Sequence, residues 1–412
     1  MRGKIAYAPG VSVVINWCPS DGLPALDKTV DLLLKQKYPS RYINTTILHR
    51  NEAIGHKTLQ GLLKIAAKVN AAIVFYEEQG DLCPKERALR VAPSKPVFVL
   101  GSSDSIEDDT IYRGLQRLCK GGDSVSVDDH FVINQSFFSP ENPSPCCAVI
   151  PTSIPALTPR VEIAARSVMC QEMGNSTPDV LVAYSFNSLR DDSVLIAKMC
   201  MRKQIPLLLH RHRHKIFPPA LARNVGARRV VDRPVAFIDA DIYLHPDTFR
   251  ESILLLEGGP CVVYVEPAMM QYVDERSPIF QGMTKKEFEE RSNRAGSAPG
   301  TGSVVFVTQD ALAATHGYDE RFIGYGFTDW DFTERLPAAG FRVVSLTKRT
   351  GIKGMHIPHG ARHGTNPPSE MNRKIYSEEK GRNPKRNPTI WGGIPVDEYE
   401  VPSCATKMLK KA

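Results

Sequence analysis

A chain of 412 residues exceeds what one ordinary core organises, so two domains are expected. Hydrophobic residues make up 42% and charged residues 24%, with a mean hydropathy of −0.24, which describes a globular chain and excludes general disorder. The net charge of +7 and the pI near 8.8 leave an anionic partner open, whether a nucleoside diphosphate or a nucleic acid.

The start, "MRGKIAYAPGVSVVINWC", has no long apolar leader core, and no stretch reaches the length of a membrane span. A cytoplasmic protein is therefore expected. Nine cysteines show no Cys-x-x-Cys pair, and the adjacent Cys146 and Cys147 suit buried free thiols. Along the chain, the β-branched run "VSVVINWC" predicts a strand, "ALDKTVDLLLKQKY" a helix and "INTTILHR" a strand. "LQGLLKIAAKV" predicts a helix, followed by strands at "AAIVFYEE" and "KPVFVLGSS". The alternation then starts again. Strands are expected at "SPCCAVIPTS", "PDVLVAYS" and "IPLLLHRH", with helices at "PRVEIAARSVMCQEM", "RDDSVLIAKMCMRKQ" and "PPALARNVGARRV", leading into "RPVAFIDAD". Such alternation predicts βαβ units and mainly parallel sheets.

The halves also align without gaps. An offset of 138 residues places Arg90 on Arg228, Pro96 on Pro234, Asp109 on Asp247 and Leu118 on Leu256, and it predicts an internal duplication. In this register Gly101 faces Asp239 and Ser103 faces Asp241, so the first copy lacks both acids unless Asp104 substitutes. The Pro/Ser-rich "SFFSPENPSPCC" is the expected linker, and an irregular basic arm is expected after residue 360.

In open α/β sheets, ligands lie outside the carboxyl ends of the strands. "VAFIDAD" ends there, with two carboxylates on one side of the exiting chain. Paired hard oxygens suit Mg²⁺ or Mn²⁺ and, through the ion, a diphosphate. An isolated Asp-x-Asp is more often a turn or helix cap beside a solvated acid. The weight comes from the residues downstream of it. A glycine-flanked strand leads into "GYDERFIGYGFTDWDFTERL", and "GMHIPHG" then places His356 and His359 after another apolar run.

With these motifs, "ARNVGAR…VAFIDAD…HPD", "GYDERFIGYGFTDWDFTERL…G" and "MHIPHG", residues 144–360 resemble a GT-A glycosyltransferase of the chondroitin-polymerase and β-1,4-galactosyltransferase-like group. The resemblance implies two tandem GT-A-like, Rossmann-related α/β domains. Residues 1–138 would be a degenerate copy, 139–360 the catalytic domain and 361–412 the basic Pro/Gly-rich arm. It also implies that Asp241 holds the metal, that Asp239 contacts the donor's ribose or sugar beside it, and that His356 or His359 completes the metal site. Asp329 would be the catalytic base. Tyr325, Gly326 and Trp330 would border the sugar, Pro151, Thr152 and Tyr184 the base, and Arg223 the phosphate or ribose. Thr328 stands where the family usually has Glu.

The function so implied is an inverting transfer, dependent on Mn²⁺ or Mg²⁺, from a nucleotide-diphosphate sugar, UDP-linked by preference, to a hydroxyl on a saccharide chain. The basic segments keep a second acceptor open, duplex DNA with hydroxymethylated bases. A non-catalytic sugar- or nucleic-acid-binding protein is the third reading, and the first half fits it best.

Overall fold

The computed structural model describes residues 11–17, 20, 22–35, 43–50, 54–76, 97–101, 124–127, 130–133, 144–153, 158–173, 176–187, 193–230, 233–269, 283–297, 302–357 and 367–387. The chain divides into two compact units. One comprises residues 1–141, 188–211 and 394–412; the other comprises 142–187 and 212–393. Among the described residues, no helix is long and apolar enough to cross a membrane.

The amino-terminal run is β1 (Val11–Trp17), α1 (Gly22–Leu34), β2 (Ile43–Arg50), α2 (His56–Lys68), β3 (Ala72–Tyr76), β4 (Val97–Gly101), β5 (Ser124–Val127) and β6 (His130–Ile133). Helix α1 buries Leu26, Thr29, Val30 and Leu33, and α2 buries Leu59, Leu62, Leu63 and Ala66. Each set follows the i, i+3, i+4, i+7 spacing of a single helix face. Strands β1 to β4 form a parallel sheet in the order β3-β2-β1-β4, which β6 and then β5 extend antiparallel.

The chain continues through β7 (Cys147–Thr152), α3 (Thr158–Met169), β8 (Asp179–Phe186), α4 (Ser193–Lys203) and β9 (Leu207–Arg211). The last two go with the first unit, where β9 pairs antiparallel with β3. The second unit adds α5 (Pro219–Ala227), β10 (Val235–Ile238), β11 (Ile242–Leu244), α6 (Thr248–Glu257), β12 (Cys261–Tyr264) and β13 (Pro267–Met269). After these come α7 (Lys285–Arg294), β14 (Gly296–Ser297), β15 (Val304–Val307), α8 (Gln309–Thr315), α9 (Thr328–Arg335), β16 (Arg342–Ser345), α10 (Leu346–Thr350), β17 (Gly354–His356) and α11 (Pro367–Glu379).

Its main sheet has the order β8-β7-β10-β15-β12-β16. β8, β7 and β10 are parallel, and β15 runs against both β10 and β12. β7 and β10 are buried along their whole length, which explains why they read as unbroken apolar runs. Cys146 and Cys147 are buried free thiols, as their adjacency suggests. Helix α5 lies hard against β7, because a β-carbon at Gly226 would overlap the Val149 side chain.

A second, four-stranded sheet has the order β11-β17-β13-β14. The chain passes from the main sheet to this one between Ile238 and Ile242, and the step is the Asp239–Asp241 segment itself. Residues 367–379, expected within an irregular arm, form helix α11 instead. Pro367 and Pro368 occupy its first turn, where the missing N–H groups would have no partner in any case.

Candidate active site

At the carboxyl end of β10 the Asp239 amide donates to the Ser303 carbonyl (2.9 Å), and the Ile357 amide donates to the Asp241 carbonyl (2.8 Å). The two acids are therefore pinned between β15 and the exit of β17. Register then brings in the histidine. β11 pairs with β17 so that Ile242 faces His356, and His356 Nε2 lies 3.4 Å from Asp241 Oδ2. Two ligands held about 2.1 Å from one ion lie roughly 3.0 to 3.4 Å apart. One imidazole nitrogen and one carboxylate oxygen at this spacing fit Mn²⁺. His359 lies outside the described residues. Among the described residues no three His, Cys, Asp or Glu side chains are grouped to hold a metal ion.

Arg223 organises the other acids. It projects from α5, is 4% exposed, and donates from Nη2 to Asp239 Oδ1 (2.7 Å) and from Nη1 to Asp329 Oδ1 (2.8 Å). Its guanidinium lies 5.1 Å from the centre of the buried Tyr318 ring. Burial pulls the Arg223 pKa down, but the Asp329 and Asp239 charges outweigh it and leave it raised. Burial pushes the Asp239 carboxyl up to about 7. Asp329 and Asp241 push the same way against Arg223. Two carboxylates thus share one fixed cation, and Asp241 lies close enough for its charge to act on Asp239.

Asp329 sits in the first turn of α9. The residue before that helix, Phe327, has φ +65° and provides no side-chain cap, so the "TDWD" acids are not its caps. Asp331 is buried and bonded by Arg335 Nε (2.8 Å), a structural pair, while Asp329 turns to Arg223. The Asp329 carboxylate fits only because residue 302 is glycine, since a β-carbon there would overlap it. Tyr325 and Trp330 are the two exposed rings of the loop and helix start, at 59% and 48%. Gly326, at φ +100°, makes the bend between them.

The structure brings Asp239, Arg223 and Asp329 together by direct bonds, and Asp241 with His356. The residues expected at the base lie at the ends of β7 and β8, the strands that run parallel beside β10. Thr152 pairs in register with Tyr184 at the ends of β7 and β8, and both are buried. The Tyr184 ring stacks on Phe186 with centroids 5.6 Å apart, and Pro151 is buried beside Thr152. Arg223, expected at phosphate or ribose, has both Nη groups engaged by carboxylates.

Sequence reasoning passed over Gly302, Tyr318, Asn372 and Asn387. Only Gly302 left a signal, the glycine preceding a strand. Asn387 donates to the carbonyls of His316 (2.6 Å) and Tyr318 (2.5 Å), and its own Oδ1 accepts from the Glu320 amide (3.0 Å).

Residues 176–351 match the family described as glycosyltransferase like family 2. No curated protein matches the chain. Among solved structures, residues 1–349 of TarS from S. aureus, in complex with UDP-GlcNAc, are 14% identical, with a TM-score of 0.35 over 53% of this chain and 60% of that one. The mannosyltransferase PcManGT from Pyrobaculum calidifontis, in complex with GDP-Man and Mn²⁺, is 14% identical, with a TM-score of 0.37 over 65% of this chain and 76% of that one. The chain spans about 60% of the length of the TarS fragment. The matched segment is similar to a glycosyltransferase family 2 domain, the class of enzyme that the motifs imply.

Proposed function

We propose that the second unit transfers a sugar, with inversion, from a nucleotide-diphosphate donor, UDP-linked by preference, to a hydroxyl of a saccharide acceptor, and depends on Mn²⁺ or Mg²⁺. The observation that carries this reading is the cluster at the end of β10, where the buried Arg223 joins Asp239 to Asp329 and Asp241 meets His356.

Asp241 Oδ2 and His356 Nε2 would hold the ion, with Asp239 beside them on the donor side. When bound, such an ion neutralises the diphosphate as it departs. Asp329 takes the proton from the acceptor hydroxyl as that oxygen attacks the anomeric carbon. The new C–O bond forms as the bond to the diphosphate breaks, the leaving group takes the electron pair, and the proton stays on Asp329. Arg223 keeps the base and Asp239 at a set separation. Tyr325 and Trp330 present exposed rings to the apolar faces of the sugars.

A saccharide acceptor is favoured over DNA by the charges beyond residue 367. Lys374 lies 3.9 Å from Glu378, Lys380 3.4 Å from Glu334, and Arg386 between Asp331 and Glu379. Cations already opposed by carboxylates make a poor phosphate-tracking surface. The first unit is proposed to be a duplicated sheet without the chemistry. Its strand order β2-β1-β4-β6-β5 matches β8-β7-β10-β15-β12 in sequence and sense.

The test is incubation of the full chain with a panel of UDP- and GDP-sugars and Mn²⁺, reading donor hydrolysis first. Oligosaccharides and hydroxymethylated duplex DNA are then screened as acceptors by mass spectrometry. Chelator-sensitive turnover of one donor supports the reading. Turnover that persists in chelator, or transfer to DNA alone, overturns it.

A further inference from the structure

The loop that ends at Asp329 has an unusual backbone. Gly324, Gly326 and Phe327 all have positive φ, at +68°, +100° and +65°, and only the glycines adopt such values without strain. A segment of this kind leaves its carbonyls pointing away from any regular partner. A side chain from far along the sequence meets them. Asn372, in α11, is completely buried, and its Nδ2 donates to the carbonyls of Ile323 (3.0 Å), Tyr325 (3.1 Å) and Gly326 (3.0 Å). Its Oδ1 accepts from the Ile323 amide at 3.3 Å.

The same helix grips the loop's aromatic residue. The Phe327 ring lies 5.3 Å from the Tyr376 ring and 5.8 Å from the Arg373 guanidinium, and on its other flank 5.5 Å from Trp330. Asn372 touches neither Asp239, Asp241 nor His356. Its bonds all end on residues 323–326, shortly before the proposed base and on either side of the exposed Tyr325.

We infer that Asn372 is a positioning residue for the acceptor side: it holds loop 323–327 so that Tyr325 and Trp330 stand at the set spacing that engages the acceptor before Asp329. The inference rests on the acceptor role proposed for Asp329, and it assigns the two rings, placed above against the sugars generally, to the acceptor. Donor binding at the end of β10 does not depend on it. Helix α11 is then part of the transferase unit rather than a tail behind it.

The test is Asn372→Asp, of nearly equal size, which turns a donating amide into oxygen facing three carbonyls. In the full chain, hydrogen exchange at residues 323–327 should quicken at least tenfold, while exchange in β10 and β1 stays as in the wild type. With Mn²⁺ and the hydrolysed nucleotide sugar, donor hydrolysis should remain within twofold. KM for an aryl β-glycoside panel as acceptor should rise at least tenfold, more than kcat falls. Unchanged exchange at 323–327 overturns the inference, and so does an equal fall of hydrolysis and transfer at constant acceptor KM. Should the wild type turn over no donor, the proposed function fails, and exchange alone decides the clamp. A milder variant, Asn372→Ser, keeps one donor and should fall between the two.

Discussion

The two units share five strands in one order and one set of directions, yet the groups proposed to act all lie in the second. In the first unit β4 stops at Gly101, and β5 and β6 are separated by residues 128 and 129 alone. In the second, β10 stops at Ile238, just before Asp239, and residues 265–303 intervene between β12 and β15. The groups proposed to act lie mainly on what the second unit adds. Asp241 opens the four-stranded sheet, His356 closes it, and Asp329 comes after the glycine-aromatic loop beyond β15. A sheet of this order is a scaffold, and the site is built from its exits and additions.

The sharpest way to break this contrast is to remove the proposed base. Asp329→Asn should lower transfer by about 10²- to 10⁴-fold while donor binding stays intact, as expected of one general base. Steady-state transfer and donor titration check it, and unchanged turnover would remove Asp329 from the mechanism. Gly302→Ala sharpens the comparison with a smaller effect. The added carbon overlaps the Asp329 carboxylate, so transfer should fall by about 10²-fold, the loss expected when a reacting group is misplaced by about 1 Å. Donor binding should again survive. Tm should fall by only a few degrees, in keeping with about 1 to 3 kcal/mol of overpacking in a unit of this size.

The first unit should respond to pH through a group with no part in transfer. Burial pulls the His49 pKa down from 6.5 to about 4, and the ring packs edge-on against Trp17 with centroids 5.0 Å apart. A depressed histidine contributes stability above 6.5 that is lost as pH falls towards 4, at most about 3 kcal/mol. Chemical denaturation of the full chain at pH 7 and pH 4.5 should show this loss for wild type, and His49→Gln should remove most of the difference. Smallest of all is the effect of Ser103→Asp, which supplies an acid at the register position of Asp241. Transfer should stay within twofold, because an acid without β11, β17 and His356 has no partner donors.

How much of this was legible depended on whether cause and residue were neighbours. The parallel strands β1 to β4, β7, β8 and β10 were readable because β-branched runs and flanking turns are local, whereas the short strands of the four-stranded sheet were not foreseen. The Asp239–Asp241 step was readable because the glycine-aromatic loop and the histidine segment downstream gave the paired acids a context. Arg223 was noticed, but its task was not, since bonds to residues 16 and 106 positions away leave no local mark. Gly302 needed Asp329, 27 residues on, to explain it, and Asn372 sits in a polar helix sequence where nothing distinguishes it. The arm was misjudged where it is helical, because Pro-Pro was taken as a breaker when it can equally open a helix.

The central claim is that the mouth at the end of β10 grips a divalent cation and, through it, a diphosphate. Calorimetric titration of UDP and GDP into the full chain, with Mn²⁺ and then with chelator, tests it most directly, with Asp241→Asn alongside. The account predicts that Mn²⁺ tightens one of the two nucleotides at least tenfold in the wild type and leaves the variant unchanged. Equal binding in chelator, or full tightening in Asp241→Asn, would contradict it.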